Sequence, residues 1–260
     1  MPPQVLTSDD WKRLFRRALV YGPPNSWKTT SLLTWPRPLH VIVVPGEMGS
    51  AALPVQDDVR VYVWSHDPTA KKASLGQQVR ELESLSKEIL AGKHGPVGTI
   101  AVEGIHKAHR LKFDSVLDGM SDGDQEKFRG MAYGVTSRWL IDLLHEIGET
   151  TVPYFVATCW AEREKDDPTD TSVKAPAHVF PALPGMLSQL VLGEFGAVLH
   201  SEAGQELAPG KFGPGRWQTR KGGKVWGAGL KVPAPVGAKI PTFVPQDWTK
   251  LEELVLKEAS

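Results

Sequence analysis

"LVYGPPNSWKTTS", Leu19 to Ser31, is the stretch on which the reading of this chain turns. From Gly22 it follows the pattern G-x-x-x-x-G-K-[ST] at every fixed position but one, because Trp27 stands where the second glycine belongs. In such a loop backbone N–H groups converge on phosphate oxygens at a helix N-terminus. A lysine neutralises the β- and γ-phosphates, and a hydroxyl ligates magnesium. Gly22, Pro23, Pro24, Asn25, Ser26, Trp27, Lys28, Thr29 and Thr30 are therefore the candidate residues for binding ATP, Lys28 is also a catalytic candidate, and Thr29 is a candidate Mg2+ ligand. A tryptophan held in left-handed backbone costs about 1–2 kcal/mol, which is tolerable if the indole swings outward, whereas an inward indole blocks the nucleotide. The competing reading is an ordinary proline-rich turn before a helix.

The flanking sequence matches a phosphate loop. "RRALVYG" is a short apolar strand that stops at Gly22, and "KTTSLLTW" reads as a brief helix closed by Pro36. "LHVIVV", Leu39 to Val44, is apolar and β-branched throughout, as in strands buried on both faces. Further strands are expected at Val59–Trp64, Val97–Glu103 and Val152–Trp160, with helices at Ser74–Leu90 and Ala132–Ile147. Strands alternating with helices predict an α/β fold with a mainly parallel sheet flanked by helices. The last third differs: "EFGAVLHSE", "GRWQTRKGGKVWG" and the Gly/Pro-rich run after it predict short antiparallel strands, with "KGGK" as a hairpin connection. Asp247 is placed to cap a final helix.

Composition sets bounds on function. The chain has 260 residues, enough for one sizeable core, and its 30 basic side chains balance 30 acidic ones. No global field marks a polyanion partner, so any nucleic-acid surface must come from local clustering. The single cysteine, Cys159, lies in an apolar run and has no internal partner. No run approaches the roughly 18 apolar residues of a membrane span, and the charged N-terminus lacks the apolar core of a signal peptide. These features predict a cytoplasmic protein with no membrane partner.

The order of "YGPPNSWKTTSLL", an apolar strand ending in "PGEMGS", "GTIAVEGIHKAHRL", "YGVTSRWLIDLLHEIGETTVPYFVATCWAEREKD", "ALPGMLSQLVLGEF" and "GRWQTRKGGKVWG" resembles the phage RecA-like P-loop ATPases. Within them it is similar to the phage nucleotide-binding group that includes single-strand annealing proteins. The resemblance runs from about Leu19 to about Val244 and implies a RecA-like P-loop NTPase core with a variant Walker A motif, so the chain reads as one domain over 1–260 with an N-terminal extension at 1–18, C-terminal antiparallel hairpins at 195–245 and a terminal helix at 246–260. It implies ATP, Mg2+, single-stranded DNA and a homo-oligomer, ring or filament, in the host cytoplasm if the chain is phage-encoded.

Residue by residue, Glu47 matches the position of the glutamate that orients the attacking water, a catalytic role that needs a carboxylate near the γ-phosphate. The alternative is a solvated acid in a Gly-rich turn. Glu103 ends "TIAVE" where relatives carry the aspartate that supports the metal, or it is a strand-end surface acid. Thr158 occupies the stretch of the γ-phosphate sensor, and Trp160 stands close to where relatives often have histidine. Arg220 and Lys231 are the candidates for a basic residue supplied to a neighbouring subunit, against a reading as surface charges.

"HKAHRLKF" concentrates His106, Lys107, His109, Arg110 and Lys112, and Phe113 offers a ring to stack on a base. Lys107, Arg110 and Lys112, with Arg163 and Lys174 after the later strand, are the candidate DNA contacts, against a solvated helix face. His106 and His109 share a helix face but have no evident third metal ligand. Three functions remain open: an ATPase of DNA recombination or annealing, a degenerate module of the same fold that binds nucleotide weakly or not at all and serves a partner, and a P-loop kinase or transferase, which would need a substrate pocket besides. The second is motivated by Trp27, Glu103 and Trp160.

Overall fold

The computed structural model describes residues 10–47, 53–54, 56–63, 74–163, 178–204, 206–208, 211–222, 225 and 227–259. Helix α1 (Asp10–Phe15) leads into β1 (Arg17–Gly22), the short helix α2 (Lys28–Ser31), β2 (Leu39–Val43) and β3 (Val59–Tyr62). Then follow α3 (Leu75–Leu90), β4 (Thr99–Glu103), α4 (Ile105–Leu117), α5 (Asp122–Gly148) and β5 (Tyr154–Arg163). The remainder comprises β6 (Val179–Pro181), α6 (Leu187–Gly193), β7 (Ala197–Glu202), β8 (Glu206–Ala208), β9 (Lys211–Phe212), β10 (Arg216–Gln218) and β11 (Gly229–Leu230). The chain closes with α7 (Ala234–Lys239), β12 (Phe243–Pro245) and α8 (Trp248–Ala259).

The main sheet runs β12-β10-β7-β1-β5-β4-β2-β3. From β7 to β3 every neighbouring pair is parallel, and β10 and β12 extend the sheet antiparallel at the C-terminal side. All five residues of β2 and of β4 are buried, as their unbroken apolar runs require. Alternation along the strands sends Leu19, Tyr21, Ile42 and Val102 to one face, under Leu82 and Ile89 of α3, Ala108 of α4 and Leu140 and Leu144 of α5. Ala18, Val20, Val41 and Ala101 go to the other face, under Trp35 and, from α8, Trp248, Leu251 and Val255. Trp35 and Trp248 stack with ring centroids 3.9 Å apart, which seats the terminal helix on the sheet.

Several expectations change. Ala197–Glu202 is a parallel neighbour of β1 as well as an antiparallel neighbour of β10, so "EFGAVLHSE" contributes a strand to the parallel core instead of an outlying hairpin. Its first five residues are buried, a pattern that fits an interior strand better than an edge. Helix α5 starts ten residues before the expected Ala132, because Ser121 caps it by accepting from Asp124 N at 3.3 Å and acidic residues fill its first turn. Gly123 and Gly130 conceal that start in the sequence. The helix after the phosphate loop is a single turn followed by a 3₁₀ turn, Leu32–Thr34. In "KGGK", Gly222 and Val225 bridge across residues outside those described. Cys159 is buried and free, and Asp247 caps α8 as expected through Lys250 N at 3.2 Å. Among the described residues no helix is long and apolar enough to cross a membrane.

The basic stretch on α4 splits between surface and interior. Phe113 is 5% exposed and packs at 4.4 Å between ring centroids on Tyr133, so it does not stack on a base. His109 is also buried, and that burial, with Arg110 nearby, pushes its pKa down from 6.5 to about 4. A neutral interior histidine cannot neutralise a DNA phosphate. The unfolded chain takes up this proton near pH 6.5 but the fold only near 4, so the stability His109 contributes is intact above 6.5 and is lost as pH falls towards 4. Relative to wild type, His109→Gln should flatten the loss of thermal stability between pH 7 and 4.5 by on the order of 2 kcal/mol, read by circular dichroism melts at both pH values.

Candidate nucleotide-binding site

Parallel strands place their carboxyl ends on one edge, and the candidate residues meet there. Strand β1 delivers the loop from Gly22 to Lys28, β4 ends on Glu103, β2 leads through Gly46 to Glu47, and β5 carries Thr158 between them. Asn25 (φ 60°) and Trp27 (φ 66°, ψ 17°) both adopt left-handed backbone, so the loop keeps a glycine-type bend without the glycine. Trp27 is 46% exposed, so its side chain is not enclosed by the loop, although the left-handed backbone costs a non-glycine residue about 1–2 kcal/mol.

Lys28 is buried and turned into its own loop. Its Nζ donates to Gly22 O at 3.0 Å and Pro23 O at 2.7 Å and lies 3.3 Å from Ser26 Oγ. Burial lowers its pKa, opposed by the carboxylates of Glu103 and Glu47. The loop is held from behind. Ser201 Oγ on β7 donates to Ser26 O at 2.6 Å, and the Gln246 amide lies 3.0 Å from the same carbonyl and 2.6 Å from Ser201 Oγ. A Cβ at Gly22 would fall 2.4 Å from Ser201 O, so glycine is required there by close packing of β1 on β7.

Across the hollow, Thr29 Oγ1 donates to Glu103 Oε1 at 2.6 Å. Burial pushes the Glu103 carboxyl up to about 7, with the Thr29 hydrogen bond opposing it, and its Oε2 has no hydrogen-bond partner among the described residues. A hydroxyl and a buried carboxylate with a spare oxygen form a hard donor pair that fits magnesium, which takes one or two carboxylates and completes its shell with water and substrate phosphates. No cluster of three or more His, Cys, Asp or Glu side chains suited to a metal occurs among the described residues.

Glu47 lies against the turn that follows Glu103. Gly104 (φ 91°) makes that turn, donates its N–H to Thr158 Oγ1 at 3.0 Å, and lacks the Cβ that would sit 2.4 Å from Glu47 Cγ. Beyond it, His106 Nε2 lies 3.1 Å from Glu47 Oε1, and Trp160 covers the His106 ring at 4.7 Å between centroids. Gly104, His106, Ser201 and Gln246 escaped the sequence analysis in these roles. A glycine immediately after a strand-end acid was the one local signal, whereas Ser201 and Gln246 lie 175 and 220 residues from Ser26.

The remaining candidates lie elsewhere. Lys107 sits over the Trp160 ring at 4.8 Å, near the site, whereas Arg110 pairs with Asp114 at 2.8 Å and Lys112 lies over Trp139 at 5.4 Å, on the helix-covered flank. Arg163 ends β5, and Lys174 falls outside the described residues. The Arg220 guanidinium donates to the carbonyls of Gly237, Ala238 and Ile240 at the end of α7. Lys231 Nζ donates to Gly193 O at the end of α6, at 2.6 Å. Both cations thus cap helix C-termini within their own chain.

A parallel sheet whose interior strand opens into a loop of this shape defines a P-loop ATPase domain. The AAA domain family matches residues 14–222, most of the chain, and the chain belongs to that family. A solved structure, described as a prototypical ATPase from the type III secretion system of pathogenic bacteria, is similar with a TM-score of 0.45 and 13% identity over 72% of this chain and 51% of that one. The chain thus spans about half the length of that protein. A comparison with curated proteins finds no match.

Gly104→Ala should cost about 1–2 kcal/mol for the left-handed backbone and displace Glu47 besides. Chemical denaturation checks the first effect and a crystal structure of the variant the second.

Proposed function

We propose that this chain binds ATP with Mg2+ in the loop from Gly22 to Thr30 and hydrolyses it. The observation that carries the proposal is the 2.6 Å bond between Thr29 and Glu103, which sets a metal-type donor pair beside the buried Lys28 and opposite Glu47. Lys28 would leave the carbonyls of Gly22 and Pro23, which are weaker partners than a phosphate, and pair with the β- and γ-phosphates. Thr29 and Glu103 would hold the metal, which when bound supplies positive charge to the phosphate oxygens. Glu47 would orient the attacking water as general base, and Thr158 would sense the γ-phosphate. Trp27 would stay outside, leaving the loop N–H groups free for phosphate.

The same proposal extends to a RecA-like phage protein of DNA recombination or single-strand annealing, built as one ATPase unit, working in the cytoplasm and assembling into a homo-oligomer. Support comes from the sequence resemblance and from Lys107 beside the 39% exposed Trp160, a cation and an aromatic face suited to single-stranded DNA. Lys107 is the strongest of the DNA candidates on this ground. For Arg220 or Lys231 to serve a neighbouring subunit, each would first have to leave its helix end.

In calorimetry with ATP and magnesium, Lys28→Ala should weaken binding at least about tenfold, a loss of roughly 1.4 kcal/mol. Unchanged affinity would refute the site and favour the degenerate module. Glu47→Gln should bind ATP normally yet lower steady-state phosphate release on the order of a hundredfold.

A further inference from the structure

We propose that His106 is a positioning residue that holds Glu47 in the orientation hydrolysis requires, a proposal that rests on the reading of Glu47 as the water-orienting carboxylate. His106 stands on the first turn of α4, directly after the Gly104 bend. Its Nδ1 accepts the backbone N–H of Trp160 at 3.4 Å. With Nδ1 an acceptor, the ring proton resides on Nε2, and Nε2 lies 3.1 Å from Glu47 Oε1. Both atoms are buried without a hydrogen-bond partner among the described residues, the 3.1 Å contact between them being close but off hydrogen-bond geometry, and the two side chains are only 9% and 11% exposed. A small turn of either side chain would align the ring N–H with the carboxylate oxygen and satisfy two buried polar atoms at once.

The contact is close but imperfectly aligned, as expected for a catalytic pair that tightens when substrate arrives. Three elements set it. The α4 turn places the imidazole, the Trp160 backbone on β5 selects its tautomer, and the missing Cβ of Gly104 leaves room for the Glu47 side chain. The Trp160 ring then covers the imidazole, with Lys107 over its indole. A carboxylate with Oε1 tied to His106 has Oε2 left to accept from water. Holding a reactive group by a neighbouring ring N–H is the way outer partners fix ligand orientation elsewhere.

The test has two arms on the full chain. In ¹⁵N-histidine NMR without nucleotide, His106 should carry its proton on Nε2, and Glu47→Gln should move that resonance while leaving that of His109 in place. In steady-state assays His106→Ala should lower kcat about tenfold or more with the ATP Kd within about twofold, and His106→Gln should restore part of kcat through its amide N–H. A merely structural role would move the ATP Kd along with kcat and leave His106→Gln no better than His106→Ala. A proton on Nδ1, a resonance indifferent to Glu47→Gln, or normal turnover in His106→Ala overturns the proposal alone. Absence of ATP hydrolysis by the wild-type chain overturns the ATPase reading, and the role of His106 with it.

Discussion

Because β7, β1, β5, β4 and β2 all point the same way, every one of them ends on the same edge of the sheet. That constraint gathers residues from 22 to 201 along one edge. Parallel pairing requires crossovers, the crossovers become helices on both faces, and the helices bury the strands so thoroughly that a polar group within them needs a partner. Lys28, Thr29 and Glu103 stand at or just beyond these ends and Thr158 within β5, all buried or half-buried, and each polar contact they make offsets a desolvation that the sheet imposes.

The electrostatics of the hollow follow from the same burial. Glu103 is pushed up to about 7 and Lys28 is lowered, because lost water disfavours the charged form of each, an effect that the attraction between them opposes. Such a site favours a ligand set that brings both signs of charge, a cation for the carboxylate and an anion for the lysine. A magnesium nucleotide does so. The loop itself is braced by Ser201 and Gln246, so the C-terminal strands and the turn before α8 take part in shaping the site although they carry none of its charged groups.

Much of the architecture was legible from local pattern. Buried strands declared themselves by unbroken β-branched runs, and α3 by its apolar spacing, with Ser74 accepting from Gln77 N at its start. The loop was legible from Gly22, Lys28 and Thr29 at their spacing. What misled was context: glycines hid the start of α5, and the Gly/Pro-rich surroundings of Ala197–Glu202 disguised a core strand. Phe113 and His109 read as surface groups because their neighbours in sequence are basic, yet the helix turns them inward.

The sequence by itself determined which residue types stand at the strand ends and that the chain alternates strand and helix, since burial on two faces and the loop spacing are properties of short segments. Only the tertiary structure decided where the Trp27 indole lies, which partner Lys28 takes, and that His106 meets Glu47 instead of solvent. Left-handed backbone at residue 27 is a local strain, but whether its side chain has space outside depends on what packs around the loop. The pairing of residues 59 positions apart depends on β2 and β4 lying side by side, and no local spacing encodes that neighbourhood.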